Sequence, residues 1–257
     1  MSGYIRLDWP DLTVALALMI VAIVLARLER VGYTKLFLIG TVRTIVQLLA
    51  IGFVLRGVFK VEAWWLNALV LLVMVGAAVY NAVKRQDHKT VGYAGIVAVS
   101  LLIGPFFVLA VVIVLVIKVS PDQAQYLIPM GGMIISYAMN TVTLFKNRFD
   151  GEIRARRREV EAKLALGATA RRAAEDVVRQ SYRAALLPSI NFMMVVGLVQ
   201  IPGMMGGQII GGADPLDAAL YQMLVAFQLT AAAVISCFVA SRLTFRTVFN
   251  RDHQLTI

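Results

Sequence analysis

AGIVAVSLLIGPFFVLAVVIVLVI, residues 94–117, runs for 24 positions without a charged side chain. A hydrocarbon core about 30 Å thick is crossed by about 20 helical residues, so this stretch is long enough to span a bilayer. Working outward, six more runs of the same character are found at 12–28, 36–55, 64–83, 124–145, 187–212 and 216–240. The chain as a whole agrees: of 257 residues 60% are hydrophobic and 16% charged, and the mean hydropathy is +0.77. A water-soluble domain of this length would use more polar residues to cover its surface. The expected class is therefore all-α: a polytopic integral membrane protein with about seven transmembrane helices, residues 1–257 forming one transmembrane domain. The first run is kept as a span, not a cleaved export signal. Asp8 and Asp11 precede it, and Arg27, Glu29 and Arg30 stand where small residues would mark a cleavage site.

The net charge of +10 has a topological explanation. Arg27, Arg30 and Lys35 follow the first run, Lys84, Arg85 and Lys89 the third, and Arg242, Arg246 and Arg251 the seventh, while the segment after the fifth is densely basic. The intervening connections hold only Arg56 and Lys60, then Lys118, then no base beside Asp214 and Asp217. Basic loops stay in the cytoplasm, so the alternation predicts an inner (plasma) membrane protein with its N-terminus outside and its C-terminus cytoplasmic. Nucleic-acid binding is set aside, because the bases are distributed as membrane insertion requires. Cys237 is the single cysteine, so no intrachain disulfide or cysteine metal cluster can form, and packing is its expected role.

Residues 146–185 change abruptly to Arg, Glu and Ala. Glu152 with Arg156, Glu159 with Lys163 and Glu175 with Arg179 are acid-before-base pairs at i,i+4, which support helix. Ile153, Val160 and Leu164 recur at helical spacing and predict one apolar stripe. Gly167 suits a helix C-terminus and Thr169 the N-cap of the next, so the segment reads as helix, tight turn, helix. A solvated loop needs neither the stripe nor the corner. A lever pressing on a soluble partner needs both.

Glu161-Ala162, Gly167 and the later Leu187-Pro188 resemble the cytoplasmic coupling loop of ABC-transporter permeases, although the second element is displaced by about ten residues from the importer pattern. Longer motifs narrow the likeness. Arg43-Thr-Ile-Val-Gln47-Leu48, Ile128-Pro-Met-Gly-Gly-Met-Ile134, Leu166-Gly167-Ala168-Thr169, Arg183-Ala-Ala-Leu-Leu-Pro188, and Val196-Gly-Leu-Val-Gln-Ile-Pro-Gly-Met-Met-Gly-Gly-Gln208 with Asp214-Pro215 are similar to the FetB (YbbM) family. Tyr221-Gln222 and Phe227-Gln228 continue the resemblance. It implies the permease half of an iron-exporting ABC transporter, related to plant proteins of aluminium tolerance. A homodimer of permeases would work with a cytoplasmic ATP-binding subunit that carries ATP and Mg2+. The coupling residues it implies are Glu161, Ala162, Leu166, Gly167, Ala168 and Thr169. The sequence has no G-x-x-x-x-G-K-[ST] phosphate loop, so an ATP-driven role would have to borrow its motor, and the chain is expected to be neither an enzyme nor the holder of a cofactor.

Polar residues inside membrane spans cost free energy and invite a functional reading. Arg43 and Gln47 lie one helical turn apart, and Asn140, Gln200, Gln208, Gln222 and Gln228 add further positions. Each can be a helix–helix hydrogen-bonding group or part of a substrate pathway. In the sixth run Pro202, Gly203, Gly206 and Gly207 predict a helix break, tolerated at membrane depth only against protein or water. Met130, Met133, Met139, Met193, Met194, Met204 and Met205 cluster around the fifth and sixth runs. Thioethers suit soft metals, and methionine usually fills gaps. His88 and His253 fall in predicted cytoplasmic loops, the spans lack clustered carboxylates, and Arg43 would repel a bare cation, so no dedicated metal site is expected. That sits uneasily with iron as cargo unless the metal travels chelated, Arg43 is structural, or the family's cargo does not transfer. Motor dimerisation would move the 161–172 lever, tilt the broken sixth helix and switch access near Arg43, Gln47 and Asn140. The alternative is a gradient-driven secondary transporter or channel whose long loop binds a regulator. A membrane-embedded enzyme stands third, for want of a catalytic constellation.

Overall fold

The computed structural model describes residues 8–30, 32–61, 63–86, 92–249 and 255. Lys89, His88, Arg251 and His253 lie outside the described residues. Ten helices follow one another among the described residues: α1 (Trp9–Leu28), α2 (Thr34–Val58), α3 (Trp64–Lys84), α4 (Tyr93–Val111), α5 (Ala124–Ala155), α6 (Arg157–Ala165), α7 (Ala170–Ala173), α8 (Glu175–Val195), α9 (Gly203–Ile210) and α10 (Pro215–Val248). A π-helical turn, Val112–Ile117, prolongs α4. Six helices are long and apolar enough to cross a membrane: α1, α2, α3, α4 with its extension, α5 and α10.

The core is a bundle of α3, α4, α5 and α10, with α8 laid on α5 and α10. Small residues set its spacing. A Cβ on Gly104 of α4 would lie 2.1 Å from the Ser236 Oγ and 2.9 Å from the Ser236 backbone nitrogen on α10, so only glycine lets these two helices cross so closely. Gly131, in the Pro-Met-Gly-Gly-Met stretch, serves α5 in the same way: a Cβ there would meet Leu71 Cδ2 of α3 at 2.4 Å. Two contacts fix the ends. At one, the Asn67 side-chain amide of α3 donates to the carbonyls of Pro121 and Asp122, at 2.9 and 3.1 Å. At the other, Tyr93 of α4 faces Lys146 of α5, and Gly92 approaches Thr247. The second end gathers the base-rich termini of α3, α5 and α10 and is called here the basic end.

The sixth run departs from a simple span. Helix α8 begins inside the charged segment and ends at Val195. Val196 is extended, Gly197 takes φ +86° and donates to the Gln200 carbonyl at 2.9 Å, and extended Pro202 caps α9. The break expected around Pro202 is therefore present, though the turn itself starts earlier, at Val196, where Gly197 adopts a conformation costly for residues with a Cβ. Ring contacts give its depth. Tyr182 meets Phe145 at 5.1 Å and Phe192 meets Tyr137 at 6.3 Å, so α8 runs antiparallel to α5. Extending that register at about 1.5 Å per residue, α8 ends roughly halfway along the apolar part of α5. The sixth run is thus two half-helices, α8 and the eight-residue α9, joined near mid-depth.

Helices α5 and α10, with 32 and 34 residues, would measure about 48 and 51 Å. Both exceed the ~30 Å hydrocarbon core and project at the basic end. The sequence boundary drawn at Phe145 is chemical only, since α5 continues without interruption to Ala155.

Candidate functional site

At the basic end α5 stops at Arg156, whose φ/ψ of −104°/20° starts a new helix, α6. The stripe predicted from spacing is present: Ile153 and Val160 are buried and Leu164 packs against the same core. The predicted ion pairs also form, Arg156 with Glu152 at 3.0 Å, Lys163 with Glu159 at 2.7 Å and Arg179 with Glu175 at 3.1 Å. Lys163 reaches Asp176 at 3.4 Å as well, clipping α6 to the start of α8. Its hydrogen bond to Glu159 raises the pKa of the ammonium above its ordinary value. Arg156 adds a hydrogen bond to Gln180 at 3.0 Å.

The corner itself is a Schellman turn. Gly167 sits at φ +85° and donates to the Leu164 carbonyl at 2.9 Å, while Ala168 donates to the Lys163 carbonyl at 3.0 Å. These bonds satisfy carbonyls that the end of α6 would otherwise leave open. Thr169 then accepts from the Arg172 backbone N–H at 3.4 Å, the N-cap expected of it. Ala170, Ala173, Ala174 and Val177 bury the inner side, so the corner is anchored from behind. At its tip the Leu166 side chain is 88% exposed, with Ala162, Ala165 and Gly167 exposed beside it. Glu161 is held by Arg157 at 2.7 Å.

One feature at the base of this lever escaped the sequence reading. Lys146 and Asp150, one turn apart on α5, form an ion pair with both residues almost fully buried. The ammonium stands 5.9 Å from the centre of the Tyr93 ring. The i,i+4 spacing of Lys146 and Asp150 is local, but nothing in it marks the pair as internal. Only the neighbours packed around it make the pair internal.

The candidate pathway residues do not converge within one chain. Arg43 donates to the Asn81 carboxamide oxygen of α3 at 3.4 Å, Gln47 is exposed on the same helix, and the main packing partner of α2 is α1. Asn140 is exposed on α5 and Gln200 in the turn between the half-helices. Gln222 and Gln228 are buried on α10. The side-chain oxygens of Gln208 and Gln222, and both polar atoms of the Gln228 amide, have no protein hydrogen-bond partner. Buried polar atoms are ordinarily satisfied, so these positions suit contact with water. Among the described residues no three His, Cys, Asp or Glu side chains gather as a metal site.

A bundle of apolar helices with one broken crossing defines a multi-pass helical membrane protein. Residues 9–249 match the Uncharacterised protein family (UPF0014), and the chain belongs to that family. It is 36% identical to the "Probable iron export permease protein FetB" of Escherichia coli (strain K12), over 96% of this chain and 94% of that protein. It is 36% identical to the "UPF0014 membrane protein STAR2" of Oryza sativa subsp. japonica, over 94% and 84% of the two chains. With the "UPF0014 membrane protein YjkA" of Bacillus subtilis (strain 168) the identity is 32%, over 97% and 98%. No solved structure is significantly similar. The family resemblance drawn from the sequence motifs is thereby borne out.

Proposed function

We propose that the chain is the permease half of an ABC exporter, carrying iron or a metal-related solute and driven by a separate ATP-binding subunit. The observation that carries this reading is the anchored corner, with Leu166 protruding from a Schellman turn clipped to α8. The basic end faces the cytoplasm by the positive-inside rule, which puts Leu166 where a soluble ATPase could seat it. The substrate class comes from the printed name of the Escherichia coli relative.

The same reading supplies a mechanical route. Helix α5 runs unbroken from the apolar bundle to Ala155, and α8 runs from the corner to the mid-depth break. A push on the corner would therefore reach the half-helix joint through two rigid elements, not through a loop. A second permease copy would cover the exposed polar positions Arg43, Gln47 and Asn140, which lipid would leave unsatisfied.

The test is co-purification. A candidate ATP-binding subunit from the same organism is co-expressed with the wild type, Leu166→Asp and Gly167→Val. The wild type is expected to retain the subunit. Leu166→Asp should lose it while keeping a monodisperse elution profile, because that side chain touches solvent only. Retention of the subunit by both variants would remove the corner from the mechanism.

A further inference from the structure

A cavity of about 970 Å³ opens at the basic end between α7, the start of α8 and the last turns of α10. Arg171, Arg172, Arg179, Arg242 and Arg246 line it against a single carboxylate, Glu175. Glu175 is already paired with Arg179 at 3.1 Å. The other four guanidinium groups have no carboxylate within salt-bridge distance among the described residues. Four like charges around one cavity repel one another, and the described residues offer them no counter-charge within ion-pair distance.

The wall toward the bundle is apolar. Tyr182 and Phe238 line the cavity, and the Arg242 guanidinium lies 5.0 Å from the centre of the Phe238 ring. Along α10, Phe227, Val234 and Phe238 are exposed at spacings of seven and four residues, so they share one face. One turn beyond Phe238 that face becomes Arg242, and one turn further Arg246. An apolar face at membrane depth that ends in arginines with no carboxylate partner among the described residues matches a molecule with an anionic head and an apolar tail.

We propose that this cavity binds the phosphate headgroup of an anionic phospholipid from the cytoplasmic leaflet, its acyl chains lying along Phe238, Val234 and Phe227. Basic pockets between membrane helices on the cytoplasmic side bind such headgroups. A free phosphate would use the arginines but leave the apolar face without a role. A soluble protein could reach the arginines but not Phe227 or Val234. Because Thr169 also lines the cavity, an occupied headgroup would brace the corner against α10.

The test uses the full chain purified in detergent and lipid retention read by native mass spectrometry, with phosphatidylglycerol, phosphatidylcholine and inorganic phosphate as probes. Phosphatidylglycerol should be retained over phosphatidylcholine, and the double variant R242Q/R246Q should weaken that retention on the order of tenfold or more. K84Q/R85Q, which removes the same charge from the end of α3, should not. If R242Q/R246Q fails to elute as a folded species, R172Q/R179Q tests the opposite wall with the same expectation. Equal weakening by K84Q/R85Q would overturn the proposal as a general charge effect. So would inorganic phosphate displacing the lipid at equal phosphate concentration, or unchanged retention in the variants.

Discussion

Helices α1 and α2 have hydropathies of 2.3 and 2.0, close to the 2.0 of α3 and 2.2 of α10, yet each buries a single residue, Ile23 and Val58, while half of the α10 window is buried. Apolar content therefore does not decide which helices pack together in a membrane, where lipid tails solvate leucine as well as another helix does. Shape decides. Helices α4, α5 and α10 carry Gly104, Gly131, Ala232 and Ala233 at their crossings. On α2, Gly40 and Gly52 have no atom within 4 Å of where a Cβ would stand. One region completes its contacts within the chain, and the other leaves its faces to lipid or to a second copy.

That contrast can be broken first at the buried pair. Lys146→Met or Asp150→Leu alone leaves a charge in the packed region without its principal counter-ion, and each is expected to cost about 3–5 kcal/mol. The double variant should recover most of the loss. Unfolding midpoints in detergent check this, and equal losses in single and double variants would mean that volume, not charge, dominates.

Gly104→Ala comes next, because the added carbon meets Ser236 backbone as well as its movable hydroxyl. A loss of about 1–3 kcal/mol is expected from overpacking. Gly40→Ala on α2 should instead be neutral or stabilising by up to about 1 kcal/mol through helix propensity. Thermal melts of the two variants side by side sharpen the comparison. Equal tolerance would mean that the α4–α10 crossing is looser than described.

At the corner, Gly167→Val has room for its side chain, since nothing lies within 4 Å, but φ +85° is strained for any residue with a Cβ. The expected cost is about 1–2 kcal/mol. The smallest effect belongs to Arg157→Ala, which removes an exposed pair with Glu161 and should stay within about 0.5 kcal/mol. Its value is as a control: a larger shift would show that α6 depends on its surface charges more than on Val160 and Leu164.

Much of the corner could be read from the residues, because capping and i,i+4 pairing are local and carry their own chemistry. Gly167, Thr169 and the three acid–base pairs take the places their spacing implies. The spans were legible for the same reason, as hydropathy over 20 residues needs no partner. What stayed hidden depends on neighbours distant in sequence. The Lys146–Asp150 pair is buried only because Tyr93 and the packed ends of α4 and α10 surround it. The turn at Val196–Gln200 required positive φ at Gly197, whereas Pro202, the more obvious breaker, serves as the cap of α9. The dispersal of Arg43, Asn140 and Gln222 over separate faces could not be foreseen, since every span had the same apolar signature.

The proposed function makes motion of this bundle depend on a push from outside the chain, delivered at the Leu166 corner. It is tested most directly in proteoliposomes holding the permease with or without the proposed ATP-binding subunit, following iron movement from the side that carries the subunit to the opposite side. The account predicts transport only when the subunit and hydrolysable ATP are both present, and loss of that transport in Leu166→Asp. Equally fast movement by the permease alone, without nucleotide, would contradict it.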